Sequence, residues 1–380
     1  VSSGLDRDRA SGTTATSSYL SYINPAYNAD VSVSITQPLL QNAGTAVNRA
    51  AIERARIGVN RAGLDFKGSV LLVVRNVETA YYNLCFAREQ LNVYKSSLQL
   101  AQTLFDEAKS RKQAGVVTDL DVLQAEVGVS DARRNVILAE QSVHNEEDAL
   151  LNLIGQFEFN TPVGDIRFPD YTERAPSFDV SYNLARDNQP DLLSAQASVK
   201  QVAIDAATSK NGRLPQLDLG GAVGYNTTET SSHRAISELP DSNGYNWELS
   251  LSFRMPWGLK AERARYRSAL STLNQTRARV QQLEQNLVVQ VRGAVRSVET
   301  NIESVAISSQ GTQLSVKKYE LEKARFDAGL STARFVLQAQ DELATSRVNE
   351  LQSKVNLRNA IADLHRLEGS SLERFNIILP

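Results

Sequence analysis

From Val70 onward apolar residues recur in alternating steps of three and four: Val70, Val73, Val77, Ala80, Leu84, Ala87, Leu91, Tyr94, Leu98, Ala101, Phe105 and Ala108. Twelve successive matches to an a/d template predict a helix that packs through a narrow seam, as in a coiled coil. A second run reads Val122, Ala125, Val129, Ala132, Val136, Ala139 and Val143, breaks at Glu146, and resumes at Leu150 and Leu153. Alternation of small Ala with larger Val or Leu suits closely packed antiparallel helices. The stretch "QAGVVT" joins the two runs, so residues 47–155 are expected to form a helical hairpin. Its longer arm would measure roughly 100 Å at 1.5 Å per residue.

Before the hairpins the period changes to two. In "NWELSLSFRM" Trp247, Leu249, Leu251, Phe253 and Met255 share one face, and Asn246, Glu248, Ser250, Ser252 and Arg254 share the other. Val31, Val33 and Ile35 alternate with polar residues in the same way, and a third strand reads Leu217, Leu219, Val223 and Tyr225. About ten residues of such alternation is the length of a tilted transmembrane barrel strand, with Val31, Val33, Ile35, Trp247, Leu249, Leu251 and Phe253 facing lipid. Trp247 and Trp257 flank the last strand as interfacial aromatics do. Pro38 and Pro256 stand where strand gives way to helix, a place that suits a residue without a backbone N–H. The polar stretch from Asn226 to Gly244 reads as a surface loop.

The chain is an internal duplication. "AGVVTDLDVLQAE" from Ala114 answers "AGLSTARFVLQAQ" from Ala328, and Gly155 answers Gly369 at the same spacing of 214. "YNADVSVS" at Tyr27 answers "YNWELSLS" at Tyr245, and Pro38 answers Pro256, at 218. "RNVET" at Arg75 lies 40 residues before its tip glycine, whereas "RSVET" at Arg296 lies 33 before. That difference is one heptad, which leaves the seam on the same face. The organisation expected is a first repeat over 1–155, with strands to about residue 38 and a hairpin over 47–155. An equatorial linker follows over 156–182. A second repeat over 183–369 holds a helix, strands at 216–225 and 245–255 and a hairpin over 259–369, and 370–380 form a tail. At a spacing of 218, residue 219 answers residue 1. The leading helix and most of the first strand of the first repeat are therefore expected upstream of Val1, with any signal sequence or lipid-anchoring cysteine.

Composition narrows the chemistry. With 41 basic against 43 acidic residues the net charge is -2, so nothing attracts nucleic acid or an anionic membrane surface electrostatically. The one cysteine, Cys85, excludes an intramolecular disulfide and a cysteine-based zinc site. His144, His233 and His365 are mutually too distant in sequence for metal-ligand spacing, and there is no phosphate-cradling loop or nucleophile elbow. "NEEDA" around Glu146 to Asp148 reads as a solvated helix face. An enzyme is not expected, and neither is a cofactor.

Hairpin, strand pair, proline and duplication together resemble the TolC-like outer-membrane efflux protein family over Tyr27 to Gly369. The two tip motifs and the segments "VSITQPLLQNAG" and "LPQLDLGGAVGYN" are the most specific parts of the likeness. The resemblance implies a mainly α chain with a small β part. Two long coiled-coil hairpins accompany up to four strands, and three chains close a twelve-stranded transmembrane barrel. It implies a homotrimer in the outer membrane of a Gram-negative-type bacterium with its helices in the periplasm. It also implies a periplasmic adaptor and an inner-membrane transporter as partners, and no catalysis. By the same resemblance Ala114, Gly115, Val116, Thr118, Ala328, Gly329, Leu330 and Thr332 form the tips where the adaptor seats. Thr118 and Thr332 are placed to cap the returning helices. The gate-lining aspartates of some relatives fall here on Phe335 and Gln338, so Asp119 and Asp121 of the first tip are the acidic gate candidates. A type I secretion duct fits the same pattern, and a soluble or surface coiled-coil scaffold is the rival of a different class.

Overall fold

A computed structural model describes residues 2–8, 26–155, 163–168, 175–229, 231–238, 244–255 and 257–379. In chain order the elements are β1 (Ser2–Asp8), β2 (Ala26–Pro38), α1 (Thr45–Asn48), α2 (Ala50–Gln113), α3 (Asp119–Leu153), α4 (Phe178–Asn188), α5 (Pro190–Asn211), β3 (Gln216–Glu229), α6 (Ser232–Ser237), β4 (Tyr245–Arg254), α7 (Lys260–Asp327), α8 (Ala333–Glu368) and α9 (Ser371–Arg374). The chain divides into two compact units, one of Val1–Val59 with Ala197–Ala278 and one of Asn60–Gln196 with Arg279–Pro380. Each unit draws on both sequence repeats.

The first unit holds one antiparallel sheet in the order β1-β2-β3-β4. Its register sets Val33 opposite Val223 and Val223 opposite Trp247; Ile35, Gly221 and Leu249 form the next row, and Gln37, Leu219 and Leu251 the one after. In an antiparallel ladder directly opposed residues share a face, so the apolar sets of three strands merge into one surface. The other face carries Ser32, Gly224 and Asn246, then Ser34, Ala222 and Glu248, then Thr36, Gly220 and Ser250. β1 supplies seven residues, all paired with β2.

Pro38 closes β2. Beyond it the turn into helix is stitched to the turn before β3: Leu39 N–H donates to the Leu217 carbonyl at 2.7 Å, Gln41 N–H to the Pro215 carbonyl at 3.1 Å, and Asn42 N–H to Asn211 Oδ1 at 2.7 Å. Pro256 lies outside the described residues. The stretch expected to be only a loop contains α6, which lies against β2 and β3 with Ala235 fully buried. Ser231 caps it, its side chain accepting from Arg234 N–H. Six residues are too few to display a helical period in sequence.

In the second unit Leu287, Val291, Val295 and Val298 of α7 pack with Leu357, Ile361 and Leu364 of α8 and with Ala185 and Leu192 of α4 and α5. A smaller core joins Ala80, Leu84 and Ala87 of α2 to Val143 and Leu150 of α3, so both expected seams are interior over this stretch. Val73 is the exception on the α2 seam and is exposed. Cys85 is buried beside that seam, and desolvation pushes its thiol up to about 11. A thiol held that high stays protonated and unreactive near neutral pH.

Val163 and Ile166 of the equatorial segment cover the smaller core. Arg88 fastens them: its guanidinium donates to the carbonyls of Val163 and Gly164, each at 2.7 Å, and to Glu147 Oε1 at 2.7 Å. Glu147 is therefore not the solvated residue its sequence neighbourhood suggests. It is the counter-charge that holds Arg88 in place, and charge-assisted bonds of this kind are the stronger class. Tyr81 adds a bond from its hydroxyl to the Arg167 carbonyl at 3.0 Å. Arg88→Ala is expected to release residues 163–168, with backbone hydrogen exchange over that segment rising severalfold while the α7–α8 core keeps its protection.

Candidate functional site: the hairpin tips and the apolar sheet face

Both helical hairpins reverse by the same backbone device. At the first tip Gly115 N–H donates to the Lys112 carbonyl and Val116 N–H to the Arg111 carbonyl, each at 2.9 Å. At the second, Gly329 N–H donates to Phe326 at 3.0 Å and Leu330 N–H to Arg325 at 2.8 Å. This 5→2 and 6→1 pair is a Schellman motif, and it needs a left-handed residue at its centre. Gly115 and Gly329 supply it, each with φ of 74°. In many such motifs the next apolar residue folds back on the helix. Here Val116 and Leu330 point outward, 67% and 73% exposed.

The returning helices begin differently. Thr118 caps α3 reciprocally: its hydroxyl accepts from Asp121 N–H at 3.3 Å, while the Asp121 carboxylate accepts from Thr118 N–H at 3.0 Å. Asp121 is thus engaged in a capping box, which satisfies two otherwise orphaned donors. Thr332 precedes α8 in an extended conformation without a side-chain cap bond. Asp119 is exposed and ion-paired with Lys112 across the turn. Phe335 is exposed on the first turn of α8, and Gln338 donates to Glu342 at 3.1 Å.

Sequence reasoning did not find the contact that ties the two hairpins together beneath their tips. The Arg111 guanidinium donates to the Phe326 carbonyl at 2.8 Å and to Asp327 Oδ1 at 2.9 Å, and lies over the Phe326 ring, 4.4 Å from its centre. Lys323 pairs with Glu107 and, at 3.6 Å, with Asp327. Below this latch Leu104, Phe326, Ala333 and Val336 form a buried cluster. Phe326 and Asp327 lie more than 200 residues from Arg111, so no local pattern announces the pairing. The duplication gives no hint either, since the corresponding arginine, Arg325, pairs with Glu322 of its own helix at 2.8 Å.

Further from the tips, α3 and α8 approach closely at Gly128, where a Cβ would sit 2.7 Å from Leu337 Cδ2. Beside that crossing is an open groove of about 1240 Å³, lined among others by Tyr94, Gln124, Asp131, Arg134, Gln338 and Asp341. Burial raises the Asp341 carboxyl above its ordinary value, and the Asp131 charge adds to the effect. Asp131 itself pairs with Arg134 at 3.4 Å.

In the sheet, Trp247, Leu249, Leu251 and Phe253 are each more than 60% exposed, and Val31, Val33 and Ile35 stand on the same continuous face. Every residue of β4 is exposed, so neither face of that strand is covered within the chain. No helix among the described residues is long and apolar enough to cross a membrane.

The family model described as outer membrane efflux protein matches residues 2–156 and 181–370. The chain is 25% identical over 339 residues to the pyoverdine export outer membrane protein OpmQ of Pseudomonas putida, covering 82% of this chain and 66% of that one. It is 21% identical over 306 residues to the outer membrane protein TolC of Escherichia coli, covering 77% and 62%. The chain thus spans a little under two thirds of the length of these relatives. Among solved structures it resembles the outer-membrane channel OprN with a TM-score of 0.80 at 18% identity, over 97% of this chain and 80% of that one. It also resembles the Campylobacter jejuni CmeC outer membrane channel with a TM-score of 0.75 at 17% identity, over 97% and 77%. At these identities the structural likeness establishes the fold, long helical hairpins with a small antiparallel sheet.

The Asp341 environment has a pH consequence. A carboxyl whose folded pKa is raised disfavours the charged form of the folded state, so stability declines as pH climbs from the unfolded carboxylate value of about 3.9 through the raised one. Asp341→Asn removes that cost. Its thermal midpoint is expected to exceed that of the parent at pH 7.5, with the gap closing as pH falls toward 4.

Proposed function

Because the chain belongs to the outer membrane efflux protein family, we propose that it is the outer-membrane exit duct of a tripartite efflux assembly, a passive conduit for small molecules. Three copies, four strands each, close a twelve-stranded barrel, and their hairpins continue it as a tunnel in the periplasm. A periplasmic adaptor seats at Ala114, Gly115, Val116 and Thr118 and at Ala328, Gly329, Leu330 and Thr332, and an inner-membrane transporter supplies the energy. The outward-pointing Val116 and Leu330 suit such a seat, since exposed apolar residues at a rigid turn offer area at little ordering cost.

The observation that carries this proposal is the sheet. Its register collects one apolar and one polar face across three strands, and both faces of β4 are exposed. Covering Trp247, Leu249, Leu251 and Phe253 is worth on the order of 10 kcal/mol in all, at roughly 1.5–3 kcal/mol per large apolar side chain. A lipid-facing wall over a polar lumen uses both faces, whereas a scaffold sheet in water uses neither. The outer strands β1 and β4 also keep open edges, which a barrel of several chains removes.

Gating belongs to the tips. The Arg111 latch and the capped turns hold the hairpins in one packing, and partner binding favours another. Small seam residues Ala125, Ala132 and Ala139 permit the shift. Asp119 and Asp121, with Phe335 and Gln338, stand nearest the constriction; Asp121 acts there chiefly by holding the α3 cap.

Two experiments test the proposal. Leu249→Arg is expected to cost about 2–4 kcal/mol of folding stability in lipid, read by urea unfolding from vesicles, while Ser250→Arg on the opposite face is tolerated. Equal tolerance at both positions, or a detergent-free monomer by light scattering, rejects the barrel. Arg111→Ala combined with Lys323→Ala is expected to raise single-channel conductance in planar bilayers severalfold, and unchanged conductance removes the latch from the gate.

A further inference from the structure

A net charge of -2 hides an uneven distribution. Where the sheet gives way to helices, three segments of the first unit meet. The turn after β2 is bonded to the turn before β3, through Gln41 N–H on the Pro215 carbonyl and Asn42 N–H on Asn211 Oδ1. The Arg213 guanidinium lies over the Tyr266 ring of α7, 4.9 Å from its centre, and ties the first turns of that helix to the same place. Together the segments 39–49, 210–214 and 257–267 carry seven Lys or Arg against one acid, Glu262, and all seven cations are exposed. At the opposite end of the sheet the balance reverses, with Asp30, Glu229 and Glu238 against Arg234.

This basic collar is locally unfavourable. Lys260, Arg263 and Arg267 share one side of α7 at spacings of three and four, which makes like charges neighbours. They also occupy its first turns, where the positive end of the helix dipole disfavours cations. Arginines close by in sequence show the usual remedy: Arg54 pairs with Asp205 at 2.7 Å and Arg56 with Glu53 at 3.0 Å. Among the described residues Lys260, Arg263 and Arg267 make no such ion pair. Cations kept at that cost call for an anion from outside the chain.

The surroundings of the collar say which anion. It adjoins the edge of the apolar sheet face nearest the helices. Leu39 donates its N–H to the Leu217 carbonyl and so stands in the row of Leu217 and Phe253. Leu39, Leu40 and Leu214 are all exposed, and Trp257 is wholly so. Exposed aromatic and aliphatic residues followed at once by Lys and Arg are the arrangement of a membrane interface, where long cationic side chains reach the headgroups. Lengths agree. Lys260 to Arg267 covers roughly 10 Å at 1.5 Å per residue, against about 5–8 Å for the headgroup layer on each side of a bilayer.

We propose that the collar binds the phosphates of anionic phospholipids in the periplasmic leaflet, through Lys260, Arg263 and Arg267, with Arg213 held beside them by Tyr266. The inference rests on the barrel reading, which puts the apolar face in lipid, and adds to it a preference among lipids. An anionic headgroup presents its phosphate without an ammonium of its own, so a zwitterionic lipid competes poorly for such a site.

The two tryptophans of the chain stand at opposite ends of the apolar face, Trp247 two residues from the Tyr225–Tyr245 ring pair and Trp257 at the collar. Each therefore reports on its own leaflet. The full chain is reconstituted into phosphatidylcholine vesicles that contain brominated phosphatidylglycerol or, separately, brominated phosphatidylcholine. Tryptophan quenching is then compared between the Trp247→Phe and Trp257→Phe variants. In Trp247→Phe, phosphatidylglycerol is expected to quench severalfold more strongly at equal mole fraction; in Trp257→Phe the two lipids quench alike. Adding Lys260→Gln, Arg263→Gln and Arg267→Gln is expected to abolish the preference at Trp257 and to leave quenching of Trp247 unchanged, which verifies insertion. Equal quenching of Trp257 by both lipids, or a preference that survives the triple substitution, overturns the collar while leaving the barrel standing. A preference of the same size at both tryptophans overturns it too. Absence of quenching at either tryptophan by either lipid overturns barrel and collar together.

Discussion

A β-sheet with two uncovered faces and two open edges is not a stable object in water, and that constraint governs the rest of the molecule. Strict alternation over β4, kept in phase with β2 and β3 by the ladder, puts a hydrocarbon-like surface on one side and a wet one on the other. Nothing among the described residues resolves this, since α6 lies against β2 and β3 alone. The sheet therefore depends on surroundings that the described residues do not supply; in the proposed barrel these are lipid on one face and further copies at the edges. The long hairpins obey a milder version of the same rule. Each has one seam satisfied internally, and α2, α3 and α7 all expose further large apolar residues.

The tips show how two copies of one motif take on different local chemistry. Both use glycine at positive φ because an L side chain there costs roughly 1–2 kcal/mol. Thereafter they diverge. The first tip spends its acid, Asp121, on a capping box; the second has no such cap, and Ser331 instead donates from its hydroxyl to Glu322 at 3.0 Å. The aligned arginines diverge too, Arg111 reaching across to the other hairpin and Arg325 staying on its own helix. A duplicated hairpin is in this way half latch and half strike plate, with neither role shared by both copies.

Period was the legible part. The change from a 3.5-residue to a two-residue repeat separates helical from strand segments in the sequence, and the long helices α2, α3, α7 and α8 lie where the 3.5-residue period runs. The shared faces of Val33, Val223 and Trp247 were also legible, because alternation fixes the side of each residue once strands pair. What escaped was pairing between distant segments. Glu147 looked solvated since its partner Arg88 lies 59 residues away, and nothing near Arg111 in the sequence announces its partners Phe326 and Asp327, more than 200 residues away. Helix α6 escaped for the opposite reason, being too short to show any period.

The arms of the two hairpins differ in length by seven residues between corresponding arginine and glycine, yet both still pack on their seams. A whole-heptad change leaves the apolar stripe facing its partner, whereas a change of three or four residues must be absorbed by local overwinding or unwinding of the seam. Length in such a molecule is thus inherited in quanta. A lineage can lengthen or shorten its reach by about 10 Å per step, seven residues at 1.5 Å each. Each step must be matched by the helix returning beside it or absorbed where the seam is weakest.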